Sequence, residues 1–342
     1  MKYIERNDTL LFERYSKETA SNGKCCHVQA IKFFVDLITD RRGDDMKIGF
    51  IGAGKAGCSL GKYFSVKARQ ADIQVAGYYS LIEEEARWAA AFTESDCFHT
   101  AEEVIAASDT IIISTPDGAV RSVWESLEKN NIKGRIFCHL SGSLSSDVFS
   151  GVERYGAYPI SIHPMFAFSN KESVYQQLHQ VSFTLEGEKH AVAAWKNIFS
   201  LLGNQVLEIT KEVKPKYHAA ASLLSNHVIA VLEAGYELLY ECGFSKEEAR
   251  SFSSVLVHDN VDHVIQEGGA NALTGPVERA DEQTITKHLS VLDGIKKSIY
   301  LSSGAGLLEL AKEKNPDRNY KKIEKILVDN QEERNEKYSI NI

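Results

Sequence analysis

The sequence has no Cys-x-x-Cys pair, and its six cysteines (Cys25, Cys26, Cys58, Cys97, Cys138, Cys242) are scattered along the chain. That spacing argues against a disulfide framework and makes reduced thiols in a cytoplasm the expectation. There is no excess of positive charge: 39 Lys and Arg stand against 47 Asp and Glu, a formal net charge of −8. Nucleic-acid binding, which needs clustered cations against phosphate, is therefore not expected. No segment reaches the roughly 18 uninterrupted apolar residues of a membrane helix, so no membrane partner is expected either. Apolar residues are nonetheless plentiful, and 43% hydrophobic with 25% charged residues excludes a mainly disordered polymer. The 342 residues suffice for two domains of ordinary size.

Residues 1–45 carry dense mixed charge and one apolar stretch, Ala30 to Ile38, interrupted by Lys32 and Asp36. These interruptions, with no small-residue cleavage site, argue against a signal peptide. Val28, Ile31, Val35 and Ile38 recur at helical spacing and allow one amphipathic helix. Cys25-Cys26-His27 offers metal ligands, but adjacent ligands point apart and no partner cluster stands nearby, so no metal site is expected. Met46 reads as a domain start, which makes 1–45 an N-terminal extension without a catalytic role.

Lys47 to Ile51 is a short apolar run, followed at once by Gly52-Ala53-Gly54-Lys55-Ala56-Gly57 and then by helical spacing from Cys58 to Phe64. Strand, glycine turn and helix are the context a dinucleotide-binding motif requires. Gly52 permits the tight turn, Gly54 lets backbone approach a pyrophosphate, and Gly57 allows close helix–strand packing. The helix N-terminus supplies free N–H groups and a positive dipole end. A second strand, Ile73 to Ser80, ends 22–23 residues beyond Gly57, where an Asp or Glu would hold the ribose of NAD. Tyr79 and Ser80 stand there instead. With no carboxylate to repel a 2′-phosphate, NADP is favoured, with NAD as the alternative; Arg87 or Lys55 would supply the cation.

The alternation continues through a helix from Glu83 to Phe92 and a buried strand from Ser108 to Thr115. Ser114, Thr115, Pro116 and Asp117 follow that strand and are expected to face the nicotinamide half, with Asp117 as a plain helix cap the alternative. Strands at 135–140 and 158–166 end near His139 and His163, each either a site residue or a satisfied structural histidine; Ser141 follows the first. Strands at 181–185 and 205–209 flank a helix from Lys189 to Leu202. The pattern predicts an α/β fold, a Rossmann-type doubly wound, mainly parallel sheet over 46–210, followed by an all-helical domain over 211–342.

From Pro215 a single helix of about 27 residues to Gly243 is predicted, roughly 40 Å long. It is apolar around most of its circumference, which places it inside a bundle or a dimer interface. His218, Ser222, Ser225 and Asn226 stand at i, i+4, i+7 and i+8, a polar stripe that is either a structural network or one wall of a substrate site. Further helices are predicted from Lys246 to Gln266 and around Thr284 and His288; Asp281, Thr284 and His288 share a face at i, i+3 and i+7, and Asp281 is either a functional residue or a helix N-cap. The charged tail after Asn315 reads as a solvated helix.

These motifs resemble those of an uncharacterised family of Rossmann-like oxidoreductases with a helical C-terminal domain of unknown function. The resemblance rests on Gly52 to Gly57, Ser114 to Asp117, His139 to Ser146 and Ile162 to Met165. It continues through Tyr217 to Ala221, Ser225-Asn226 and Leu273 to Asp281. That family is similar to 6-phosphogluconate dehydrogenase, pyrroline-5-carboxylate reductase and prephenate dehydrogenase. The resemblance implies an NADP-linked enzyme whose helical domain resembles that of 6-phosphogluconate dehydrogenase, closes the cleft and commonly forms a homodimer. It supplies no substrate. The Arg expected after Tyr79-Ser80 is replaced by Leu81, and Lys216 and Asn226, ten apart, do not match the Lys-x-x-x-Asn pair of hydroxyacid dehydrogenases.

The expectation is a cytoplasmic oxidoreductase acting on a small polar molecule, with His218 as first candidate for the acid–base group, since imidazole titrates near neutrality. His163 and His139 are second candidates, and Ser141, Ser225 and Asn226 would orient substrate or the histidine tautomer. The rival is a non-catalytic NADP-binding sensor.

Overall fold

The computed structural model describes residues 45–339. The expected helix over 28–38 and Cys25-Cys26-His27 lie outside them. The chain divides into two compact units, with the boundary between His218 and Ala219.

The first unit is an eight-stranded sheet in the order β3-β2-β1-β4-β5-β6-β7-β8. Its strands are β1 (Met46–Ile51), β2 (Ile73–Tyr79), β3 (Asp96–Cys97), β4 (Thr110–Ile113), β5 (Ile136–His139), β6 (Tyr158–Pro164), β7 (Phe183–Gly187) and β8 (Val206–Glu208). All neighbours pair parallel except β6 with β7. This is the doubly wound sheet the sequence predicts, and its strand order reverses direction between β1 and β4. The two-residue β3 is absent from the sequence expectation, because two residues carry no period.

Side chains alternate across the sheet. In β4, Ile112 joins a core with Ile48, Phe50 and Tyr78, whereas Ile111 and Ile113 join a second core with Val104, Trp124 and Phe137. Phe50 stacks on Tyr78 at 4.8 Å between ring centroids. Helices α1 (Lys55–Ala71), α2 (Glu83–Thr93), α3 (Ala101–Ala107), α4 (Asp117–Ser126) and α5 (Lys189–Leu202) complete the unit.

The predicted helix from Pro215 to Gly243 is an α–π–α run. Helix α6 (Lys214–Ser222) is followed by a π turn (Leu223–His227) and α7 (Val228–Glu241). A π turn holds more residues than an α turn, so the spacing that aligned His218, Ser222, Ser225 and Asn226 does not carry through it. Nor is the run buried within one chain: Leu224, Ile229 and Val231 are exposed.

In the second unit α8 (Lys246–Glu267) opens on a capping box between Ser245 and Glu248. Helix α9 (Gly269–Ala272) precedes α10 (Glu282–Val291), α11 (Gly294–Lys314) and α12 (Lys321–Ser339). Asp281 is the N-cap of α10, accepting from Thr284 N at 3.0 Å. The tail is not simply solvated: Tyr320, Ile323 and Leu327 are buried against Leu301 and Leu308. Among the described residues no helix is long and apolar enough to cross a membrane.

Candidate active site

The glycine turn lies where β1 ends, beside the end of β4. Gly52 has φ +104°, and a Cβ there would meet the Ser114–Thr115 peptide at 3.1 Å. At Gly57 a Cβ would come within 2.3 Å of Ser114 Oγ. Both positions therefore require glycine, for the turn and for helix–strand contact. Gly54 differs: a Cβ there would lie 3.8 Å from its nearest neighbour, Ser114 O. Its glycine leaves room for a ligand rather than for the fold.

Gly54 is the N-cap of α1 with no side-chain cap, so the first amides of the helix are free to bind an anion. Ala53 is buried, Ala56 half-buried and Lys55 exposed. A cleft of about 340 Å³ lies here, lined by Gly54, Lys55, Glu85 and the Ser169–Glu172 segment. That segment arrives from beyond β6, and no local signal in the sequence announces it.

Other predicted cofactor residues are placed unevenly. Ser114 Oγ donates to Gly52 O at 2.9 Å, so its hydroxyl braces the turn. Tyr79 O accepts from Gly52 N at 2.7 Å, and Ser80 Oγ accepts from Ile82 N at 3.3 Å. Arg87 is paired with Glu83 at 2.6 Å, which leaves Lys55 as the predicted cation without a carboxylate partner among the described residues. Thr115 Oγ1 is buried without a hydrogen-bond partner among the described residues. Pro116 is the N-cap of α4, so Asp117 does not cap it. Instead Asp117 Oδ2 accepts from Ser141 Oγ at 2.5 Å and from Ser143 Oγ at 3.2 Å.

Ser141 organises the turn after β5. Besides donating to Asp117, its hydroxyl oxygen accepts from Ser143 N and Leu144 N. Gly142 follows, and a Cβ there would meet His218 Nδ1 at 2.5 Å and His163 Nε2 at 2.8 Å. The His163 and His218 rings lie edge to face at 5.9 Å. His163 Nδ1 is 2.7 Å from the Tyr217 hydroxyl, and His218 Nδ1 is buried without a partner among the described residues. Burial pushes the His163 imidazole down to about 4, helped by the Lys214 ammonium and His218 and opposed by Asp117. His163 is therefore neutral at physiological pH. Burial also raises the Tyr217 phenol above its ordinary value.

His139 belongs to the core rather than to this cluster. It is wholly buried, its ring lies against Phe149, Nε2 lies 3.2 Å from Ser145 O, and Nδ1 accepts from Ser141 N. Its imidazole is pushed down to about 4, chiefly by burial. The structural alternative for this histidine is the one its geometry fits. Asn226 and Ser225 belong to the second unit, where Ser225 Oγ donates to Ala221 O at 2.7 Å and lies 2.9 Å from Asn226 Oδ1. Both contacts are local to the helix.

Sequence reasoning missed Lys214 and Gly142. Lys214 is 1% exposed, whereas Lys216, two residues on, is exposed. Its Nζ donates to Ser161 Oγ at 2.7 Å and to Ser141 O at 3.2 Å. Burial lowers its pKa, opposed by Glu186, Cys138 and Asp117.

An open sheet with a glycine turn at its switch point, followed by a helical unit, defines a Rossmann-type two-domain protein. Residues 35–164 match the Rossmann-like domain, and residues 181–305 match a domain of unknown function, DUF2520. The two matches together give the pairing of domains that the motif resemblance implies. No curated protein matches it. Among solved structures, it is similar to protein TM1727 from Thermotoga maritima, 23% identical over 78% of this chain and 98% of that one, TM-score 0.61. The “putative NADP oxidoreductase BF3122” of Bacteroides fragilis is 25% identical over 78% and 98%, TM-score 0.62. An imine reductase from Pseudomonas sp. is 19% identical over 79% and 98%, TM-score 0.57.

Proposed function

We propose that the chain is an NADP-linked oxidoreductase that moves a hydride between the nicotinamide and a small polar substrate. One observation carries this reading. The glycine cradle after β1, Asp117 after β4, Ser141 after β5 and His163 at the end of β6 all lie at carboxyl ends of strands in the parallel part of the sheet, the edge at which open α/β sheets bind ligands, and His218 meets His163 there from α6. The likeness to BF3122 and to the imine reductase supports it.

The residues present fit a dinucleotide. Gly54 leaves the space, the uncapped start of α1 offers amides to the pyrophosphate, and the unpartnered Thr115 hydroxyl is free for a ligand. Ser80 and Lys55 would meet a 2′-phosphate, and no carboxylate at Tyr79 or Ser80 opposes one. NAD is the alternative. When bound, the nicotinamide supplies or accepts the hydride.

The chain itself must move one proton and hold the substrate. His218 is the acid–base group, its buried Nδ1 having no partner among the described residues. Neutral His163 is fixed by Tyr217, and Asp117 holds the Ser141–Gly142 turn against both histidines. The exposed apolar residues Phe252, Val255 and Leu256 on α8 support a homodimer through the helical unit. The free thiols of Cys58, Cys97, Cys138 and Cys242 support a cytoplasmic setting.

The test is a screen with NADPH against small cyclic imines, aldehydes and 2-keto acids, read by loss of the reduced nicotinamide's absorbance. Turnover abolished by His218→Ala is the expected result. Saturable NADPH binding without turnover on any class would favour the sensor reading instead.

A further inference from the structure

Lys214 presents an unusual arrangement: a lysine side chain fully enclosed at the first position of α6, with no carboxylate within ion-pair distance among the described residues. Long cationic side chains are almost never fully buried unless paired. Here the enclosed ammonium is met by neutral oxygens only. Ser161 Oγ, on β6, lies 2.7 Å away, and Ser141 O, just after β5, lies 3.2 Å away. Ser161 Oγ in turn donates to Ser141 O at 3.2 Å, closing a triangle. Ser141 O belongs to the peptide joining Ser141 to Gly142, the residue packed against His163 Nε2 and His218 Nδ1.

We propose that Lys214 is a positioning residue: its ammonium joins the start of α6 to the ends of β5 and β6, fixing the Ser141–Gly142 turn against the two histidines and keeping a positive charge beside His163. The role follows from connectivity. Tyr217 and His218 are three and four residues further along the same helix, so anchoring its first residue sets where both side chains fall. Among the described residues the ammonium is also the fixed cation acting on His163; His218 and His139 are ionisable neighbours, Asp117 is the opposing carboxylate and Tyr217 is hydrogen-bonded. Glu186, Cys138 and Asp117 act on Lys214 itself. Glu186 is already engaged by Ser146 N and Oγ, each at 2.8 Å. Lys214 Nζ is bonded to Ser161 and Ser141 rather than to either imidazole, so the role is placement and charge rather than chemistry.

The inference rests on reading His218, with neutral His163 beside it, as the acid–base site, but its test needs neither cofactor nor substrate. The His163 imidazole is titrated by NMR in the full-length chain and in Lys214→Met and Lys214→Arg. Removing a neighbouring cation favours imidazolium, so Lys214→Met is expected to raise the His163 pKa by roughly one unit from its low value, and Lys214→Arg to restore it. Unchanged titration in a folded Lys214→Met protein overturns the proposal. If that variant does not fold, the wild-type chain supplies the reading. As the pH is raised and Lys214 loses its proton, the His163 ring signals must move with it, and signals insensitive to that step overturn the proposal. Loss of turnover with unaltered His163 titration would leave the reductase reading standing and defeat this one.

Discussion

The Tyr217 hydroxyl lies 2.7 Å from His163 Nδ1, and the two rings meet edge to face at 5.4 Å. One residue comes from the start of a helix and the other from the end of β6. Their bond fixes the imidazole plane and leaves Nε2 directed at Gly142, beside His218 Nδ1. The site is thus built from a sheet edge and the first turn of a single helix.

Tyr217→Phe removes that hydroxyl and leaves His163 Nδ1 unpaired in a half-buried place. A fall in kcat on the order of tenfold to a hundredfold is expected, with little change in cofactor affinity. His218→Ala should cost more, roughly a hundredfold or beyond, because it removes the proposed proton carrier itself. Steady-state kinetics beside an NADPH titration of each variant check both.

The glycine turn separates fold from ligand. Gly54→Ala meets nothing closer than 3.8 Å, so its melting temperature should stay near wild type while dinucleotide affinity falls at least tenfold. Gly57→Ala drives a Cβ to 2.3 Å from Ser114 Oγ and should lose about 1–3 kcal/mol of stability by overpacking. Thermal melts and binding titrations on the two variants are expected to part in opposite directions.

Stability should fall with acid. His139 and His163 have folded-state pKa values pushed down to about 4, against 6.5 for a free imidazole. Between those values the unfolded chain binds more protons than the folded one, so unfolding free energy rises with pH. The contribution is fully present above about pH 6.5 and is lost as pH falls towards 4. Melting temperatures at pH 7.5, 6, 5 and 4.5 should decline, and His139→Phe should flatten the decline.

The apolar face of α8 predicts assembly. Val255 is 77% and Phe252 76% exposed in a single chain. Val255→Asp should leave the helical fold intact by circular dichroism and shift the sedimentation coefficient from dimer to monomer. A wild-type chain that sediments as a monomer would contradict the homodimer.

Much of the first unit is legible in its sequence. Ile48 to Ile51 and Thr110 to Ile113 are nearly continuous apolar runs, the mark of strands covered on both faces, and the glycines are dictated by a positive φ at 52 and by a contact that admits no Cβ at 57. His139 and His163 look alike in sequence, both near strand ends. What separates them is which side chains surround each: Phe149 and Ser145 for the first, Tyr217 and Gly142 for the second. Residues far apart in the chain supply those surroundings. Lys214 is illegible for the same reason, since a lysine beside Pro215 and Lys216 reads as solvated until β5 and β6 enclose it. The π turn at Leu223–His227 also escapes, because helical periodicity assumes the turn size that this segment departs from.

The measurement that bears most directly on the central claim is a fluorescence titration of the purified chain with NADPH and with NADH. Saturable NADPH binding, at least tenfold tighter than NADH and weakened by Gly54→Ala, is the predicted result. Binding of neither nucleotide by folded protein would contradict the oxidoreductase reading at its foundation.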